Sequence, residues 1–335
     1  MVNRSPCHHP YRSRQANSPN HGIPRTACTT LAMLGWVVLL IFAGPLHGQE
    51  PESDLTAITI IYQGDIQGAI DECDCKYTPR GGLARRVTYL HSVWDEEVPF
   101  LHLDAGSIMG VPGQLSAIQS QFLCRETESL GLDAIGLGTW DLNYGLEFLQ
   151  SVRAAYHLPF TCANVRRLGA SEPLLPPYLV VERAGISFGI CSVVMPNHEK
   201  LSRSKQLDNL VMEDPLVALR RVLTDLRPQV QVVVLLSQLG RTATNELLEQ
   251  VDGIDIAIVG NSRTCYRDEK YVGDTLLLGA VFEGRCIGRA DLRFGPDGSF
   301  QVDRIEVSQL TARYPDDPDT AAKVAEFKQK LHGGR

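Results

Sequence analysis

Two short stretches carry residue types that could do chemistry. In AIGLGTWDLNYG (134–145) an apolar run stops at Gly138, presents Thr139, Trp140 and Asp141, and gives way to a helical pattern. A loop at the end of a strand is where an open α/β fold displays reactive side chains. Here Trp140 stands where hydrolytic chemistry would want a histidine. The second stretch, ECDCK (72–76), holds Cys73 and Cys75 two residues apart. That spacing is open to three readings: a disulfide or spectator pair, a thiol redox centre, or a soft-metal site. No second pair at zinc spacing accompanies it, and the chain has no Cys-x-x-Cys-His haem site.

The elements that must position these residues alternate along the chain. AITIIY (57–62), FLHLDAG (100–106), AIGLG (134–138) and FTCANV (160–165) read as strands, and 81–97, 115–131 and 144–158 as the helices between them. This βαβαβαβ order predicts a largely parallel sheet with helix cover. YLVVERAGISFGICSVV (178–194) then reads as a hairpin turning at Ala184-Gly185. The strand–helix order resumes with a helix over 214–226, capped by Asp214 before Pro215, then VQVVVLLSQ (230–238), a helix, and IDIAIVG (254–260). TLLLGAVF (275–282) and a hairpin over 290–307 complete the sheets. Three segments follow: a targeting segment over 1–48, one α/β domain over 55–310, and a C-terminal helix or tail over 311–335.

The chain has 335 residues, 44% hydrophobic and 21% charged, with a net charge of −7. This composition supports a sizeable core, and the absence of a basic cluster after the N-terminus argues against nucleic-acid binding. Residues 1–27 carry arginines and no acid, and LAMLGWVVLLIFAG (31–44) is then uncharged. That run has the length of a signal-peptide core and is short for a spanning helix. The expectation is export, periplasmic or extracellular, with this segment the chain's one route to a membrane. Beyond it lie seven cysteines: Cys73, Cys75, Cys124, Cys162, Cys191, Cys265 and Cys286. An exported compartment tolerates disulfides, and an odd count leaves at least one thiol outside an internal pair. Cys124, Cys162 and Cys191 sit in apolar elements and read as small buried hydrophobes.

Ligands in such a fold gather beyond the carboxyl ends of the strands. The loops there carry GDIQG (64–68), GGLARR (81–86), DAGS (104–107), GTWDLNYG (138–145), SQLG (237–240) and GNSRT (260–264). In order and spacing they resemble the N-terminal catalytic domain of the 5′-nucleotidase branch of calcineurin-like metallophosphoesterases. Its loops run Asn-Asp-x-His-Gly, Gly-Gly-Leu-Ala-Arg, Asp-Ala-Gly-Asp, Gly-Asn-His-Glu-Phe-Asp-Tyr-Gly, Ser-His-Leu-Gly and Gly-His-Ser-His-Thr. The resemblance covers roughly 57–310 and implies an α/β fold of the metallo-dependent phosphatase type: a four-layer α/β/β/α sandwich with mixed sheets.

The family's chemistry uses two divalent ions that activate water and neutralise phosphoryl charge. Carried over position by position, Asp65 keeps the first aspartate. Gln67 stands at the adjacent histidine, Ser107 at the bridging aspartate, Thr139 at the asparagine, and Trp140 at the transition-state histidine. Gln238, Asn261 and Arg263 occupy the last three histidine positions. Neutral amides are weak ligands for zinc or manganese, serine cannot replace a bridging anion, and arginine cannot lose its proton. The expectation is therefore a vestigial ligand-binding site with no metal or other cofactor. Asp65 either receives backbone N–H bonds or pairs with Arg263, Trp140 packs between loops or stacks on a ligand, and Gln67, Gln238 and Asn261 form a neutral network.

The alternative keeps an enzyme, a phosphoesterase with a single divalent metal around Asp65, Gln67, Asp104 and Asp141. ECDCKYTPRGGLARR is also similar to a Pro-Cys-Gly-Cys segment in a branch of exported nucleotidase-like proteins found beside multihaem cytochromes. That likeness implies a redox setting and an exported redox or cytochrome partner. On the implied fold the ECDCK loop and the loop before Cys265 share a face, so Cys73, Cys75 and Cys265 can meet at the site rim. The chain ends where the family's nucleotide-recognition domain would begin, so no preference for nucleotides is expected.

Overall fold

The computed structural model describes residues 55–335 apart from 111–113, 196–208, 264, 280–281 and 334–335. The expected targeting segment, 1–48, lies outside the described residues.

Two six-stranded sheets form the frame. The first has the order β14-β13-β1-β2-β3-β4. Its strands are β1 (Thr56–Gln63), β2 (Phe100–Asp104), β3 (Ala134–Gly136), β4 (Phe160–Thr161), β13 (Cys286–Phe294) and β14 (Phe300–Gln309). The second has the order β11-β12-β10-β9-β7-β6. It holds β6 (Tyr178–Arg183), β7 (Ile186–Val194), β9 (Val232–Gln238), β10 (Ile256–Val259), β11 (Tyr271–Val272) and β12 (Thr275–Gly279). Each sheet is parallel at its centre and antiparallel at one or both edges, where hairpins add strands.

Strand alternation explains how the layers stack. Residues i and i+2 of a strand face the same side. Ile58, Ile60, Tyr62, Leu101 and Leu103 of the first sheet meet Val232, Val234, Leu236, Ile256 and Ile258 of the second in one buried core. The intervening Val233, Leu235 and Ala257 face helices α4 (Pro215–Leu226) and α5 (Arg241–Leu248). Ile61 and Ile135 face α1 (Leu83–Trp94), α2 (Gln114–Glu128) and α3 (Leu146–Ala155). The result is the α/β/β/α sandwich that the alternating pattern and the resemblance predicted. Asp214 caps α4 as expected, its side chain accepting from Leu216 N (2.9 Å) and Val217 N (3.1 Å).

Two expectations need correction. FTCANV is not one strand: β4 stops at Thr161, and Val165–Arg167 (β5) pairs with Leu210–Met212 (β8) in a separate two-stranded sheet. Asn164 makes the break, because its buried amide brackets the β7 end. It accepts from Val194 N (2.9 Å) and donates to Val194 O (2.8 Å) and Glu213 O (3.1 Å). Nor does the C-terminal helix α6 (Pro318–Gly333) stand apart from the domain. Phe327 stacks on Phe122 at 4.2 Å, Val324 is buried, and Asp317 N donates to Ala84 O at 3.2 Å.

Candidate functional site

All the loops singled out in the sequence leave the carboxyl ends of β1, β2, β3, β9 and β10, and the parallel pairing brings them to one edge. The β1 loop lies along the β2 loop through Asp65 N to Gly106 O (2.8 Å), Gln67 N to Ser107 O (2.9 Å) and Gly68 N to Ile108 O (2.7 Å). Of the eight non-glycine residues with positive φ among the described residues, four are here: Asp65 (53°), Gln67 (53°), Ser107 (61°) and Asn261 (50°). Left-handed backbone is costly for such residues, so half of this cost is concentrated at one site.

The side chains complete the docking. Asp141, fully buried, accepts from Ser107 N (2.8 Å), Gly138 N (2.8 Å) and Met109 N (3.0 Å). Asp104 accepts from Gly106 N at 2.7 Å. Asp65 accepts from Asn261 N (2.6 Å) and from the Gln238 amide (3.3 Å), while Ser107 Oγ donates to Gln238 Oε1 at 3.0 Å. Two glycines make room for this. A Cβ at Gly138 would overlap Ser107 N and Oγ, and one at Gly260 would overlap Gln238 Nε2.

Burial dominates the electrostatics. It pushes Asp65 up to about 6, with Asn261 N–H and the Gln238 amide acting against it. Asp104 rises to about 7 through burial, aided by the charges of Asp141 and Asp65 and opposed by Arg86; burial takes Asp141 to about 6. Behind the loops, between the first sheet and its helices, lies a second polar layer. Gln63, Arg86, His102 and Asp104 are each 2% exposed or less. Gln63 Nε2, both Arg86 terminal nitrogens, His102 Nε2 and Asp104 Oδ2 have no hydrogen-bond partner among the described residues. His102 Nδ1 lies 3.0 Å from Leu130 O, and burial holds the ring down at about 4, so it is neutral.

Sequence reasoning missed this layer, although a signal was present. Leu83, Arg86, Val87 and Leu90 fall at i, i+3, i+4 and i+7, which puts Arg86 on the buried stripe of α1. His102 and Asp104, two apart on β2, must share a face.

Where a neutral network of Gln67, Gln238 and Asn261 was expected, the Gln238 amide bridges Ser107 Oγ and the Asp65 carboxyl, Asn261 meets Asp65 through its backbone N–H, and Gln67 meets Ser107 through its backbone. Of the two readings of Asp65, the structure takes the first: Asn261 N–H and the Gln238 amide hold the carboxyl, and Arg263 is exposed. Trp140 and Thr139 are half-buried in the short 3-10 turn Thr139–Leu142. Among the described residues, no group of three or more His, Cys, Asp or Glu side chains is disposed to hold a metal ion.

Cys73 and Cys75 form a disulfide on the loop between β1 and α1. Cys265 does not join them. It is a free, partly exposed thiol on the segment between β10 and β11, with Cys286, Tyr62 and Arg267 as electrostatic neighbours. Cys124, Cys162 and Cys191 are buried as expected, and burial raises Cys162 and Cys191 to about 12.

No protein-family model matches the chain. Among curated proteins it is similar to the 5′-nucleotidase of Bos taurus, 23% identical over 309 residues, covering 82% of this chain and 53% of that protein. Among solved structures, the 5′-nucleotidase precursor of Thermus thermophilus matches with a TM-score of 0.74 at 21% identity, over 83% of this chain and 59% of that one. The calcineurin-like phosphoesterase YfkN of Bacillus subtilis matches with a TM-score of 0.68 at 18% identity, over 82% of this chain and 98% of that one. The chain spans about half the length of the curated 5′-nucleotidase from Bos taurus.

Proposed function

We propose that this chain, a relative of the 5′-nucleotidase-like branch of the calcineurin-like metallophosphoesterases with the fold of their N-terminal domains, has given up the dimetal phosphohydrolase site and works as an exported binding or redox-associated module. One observation carries the reading. The carboxylates of Asp65, Asp104 and Asp141 are engaged by loop N–H groups and the Gln238 amide, so the anions at this edge hold the protein's own backbone. Two divalent ions need anionic or imidazole donors in close convergence. Gln67, Ser107, Thr139, Trp140, Gln238, Asn261 and Arg263 offer amides, hydroxyls, an indole and a cation instead. This donor set does not fit two dications. The alternative single-metal phosphoesterase would need Asp141 to release three backbone N–H groups. Phosphatase turnover on a panel of monoesters and diesters, with zinc or manganese added, is expected to be absent in the wild type. Turnover that Asp65→Ala abolishes would overturn the reading.

A second reading is favoured by the Cys73–Cys75 disulfide, which lies on an exposed loop beside Lys76 and the 89%-exposed Tyr77. A disulfide that a partner can reach can exchange with its thiols, and it fits the oxidising compartment that export implies. An exported redox protein, a multihaem cytochrome included, is the partner class for this reading. Alkylation mass spectrometry after mild reduction should label Cys73 and Cys75 first and leave the buried Cys124, Cys162 and Cys191 unmodified. Equal resistance of all five would remove the redox reading.

A further inference from the structure

A cavity of about 290 Å³ opens beside the end of β14, lined by Arg267, Glu306, Ser308, Gln309, Thr311, Arg313 and Tyr314 among others. Drug-sized ligands occupy pockets of about 300–1,000 Å³, so this one suits a smaller guest. Its charge is opposite to that of the molecule. The chain carries a net charge of −7, yet two exposed arginines line this single cavity, and neither has a carboxylate within ion-pair distance among the described residues.

More cations stand close by. Cys286 pairs with Gln309 across the β13–β14 ladder, and Leu310 N donates to Arg285 O at 3.0 Å. Burial pushes the Cys286 thiol up to about 11, opposed by the charges of Arg80, Arg267 and Arg285, of which Arg285 is ion-paired with Glu283. The buried Nε atoms of Arg80 and Arg285 find no acceptor among the described residues. The one acid in the lining is already engaged. Glu306 accepts from Ser308 Oγ at 2.6 Å and faces Arg304 Nη1 at 3.6 Å. The wall is also well ordered. Tyr314 N donates to Thr311 O (2.9 Å), Arg313 N to Thr311 Oγ1 (3.3 Å) and Tyr314 Oη to Ser308 Oγ (3.3 Å), while the Arg313 guanidinium lies over the Tyr314 ring at 5.7 Å.

We propose that Arg267 and Arg313, with Gln309 and Thr311 beside them, form a binding site for a small dianionic oxyanion, a phosphate or sulfate group. Planar guanidinium forks match the paired oxygens of such groups, and hydroxyl and amide donors complete the shell. The site lies at the same edge of the first sheet as the carboxylates, on its β13–β14 side, and uses none of their side chains.

Isothermal titration calorimetry at constant ionic strength tests it with inorganic phosphate, inorganic sulfate and phenyl phosphate as probes. Saturable binding is expected, and stronger binding of the ester than of free phosphate would identify a monoester end as the natural ligand. Arg267→Gln and Arg313→Gln should each weaken binding roughly ten- to a hundredfold, the effect of losing one charge-assisted contact. Arg293→Gln, which removes an exposed arginine already paired with Asp303, should leave it unchanged. Both arginines of the site are exposed, so the variants should melt like the wild type. No saturable heat with any probe overturns the proposal. So does equal weakening by Arg293→Gln, which would mean diffuse charge.

Discussion

Replacing Asp141 with alanine should cost about 3–6 kcal/mol of folding stability, a large part of the roughly 5–15 kcal/mol that a domain commonly has. The carboxylate is fully buried and accepts three backbone N–H bonds, two from the β2 loop and one from the β3 loop. Alanine leaves those donors facing one another in a dry site, each orphan costing about 1–3 kcal/mol. Asparagine keeps one carbonyl oxygen and should recover about half of the loss. Urea denaturation of the three proteins measures this through the midpoint at constant slope. A loss below about 1 kcal/mol for alanine would mean that the loops are held by other contacts.

Stability should also fall by about 2–4 kcal/mol between pH 5 and pH 8. Asp65 and Asp141 titrate near 6 and Asp104 near 7 in the folded chain, against 3.8 without burial. A carboxyl raised in this way binds more protons folded than unfolded. Its contribution is fully present below pH 3.8 and is lost as pH climbs through 6 and 7. The groups facing them are Arg86, which favours the charged form of Asp104, and His102. His102 acts in the opposite direction. Held at about 4 against 6.5, it costs stability as pH falls through that window, so it offsets part of the carboxylate effect at pH 5. Glu96, Glu213 and Asp291, held low beside arginines, matter only in more acid solution. Thermal melts across this range, repeated with Asp104→Asn, should show the slope and then its reduction. Stability that rises from pH 5 to pH 8 would mean that the three carboxyls are ionised at little cost, as beside bound cations.

Much of this was legible before any coordinates. β-branched runs separated by amphipathic helices predicted parallel strands with helix cover, the resemblance of the loops implied the four-layer sandwich, and the Ala184-Gly185 turn and the Asp214 cap were visible as local chemistry. Also plain in the letters were the amides, hydroxyls, indole and guanidinium at the positions where the resemblance implies imidazoles and a carboxylate. Less legible were effects that depend on distant partners. FTCANV has strand composition throughout, but Asn164 is claimed by the β7 end and ends the strand early. Arg263 looked like the natural counter-ion of Asp65, yet Asn261 N–H and Gln238 take that place. The layer of Gln63, Arg86, His102 and Asp104 is written in helical and strand periodicity, and is hidden because an arginine on an apolar stripe is easily read as a surface residue.

Metal content tests the central claim most directly. Protein dialysed against zinc and then manganese, freed of excess ion and analysed by plasma mass spectrometry, should carry well below one equivalent of either, with no difference between wild type and Asp65→Ala. One or two equivalents retained by the wild type and lost in Asp65→Ala would contradict it, because the carboxylates would then be holding cations rather than the backbone of their own loops.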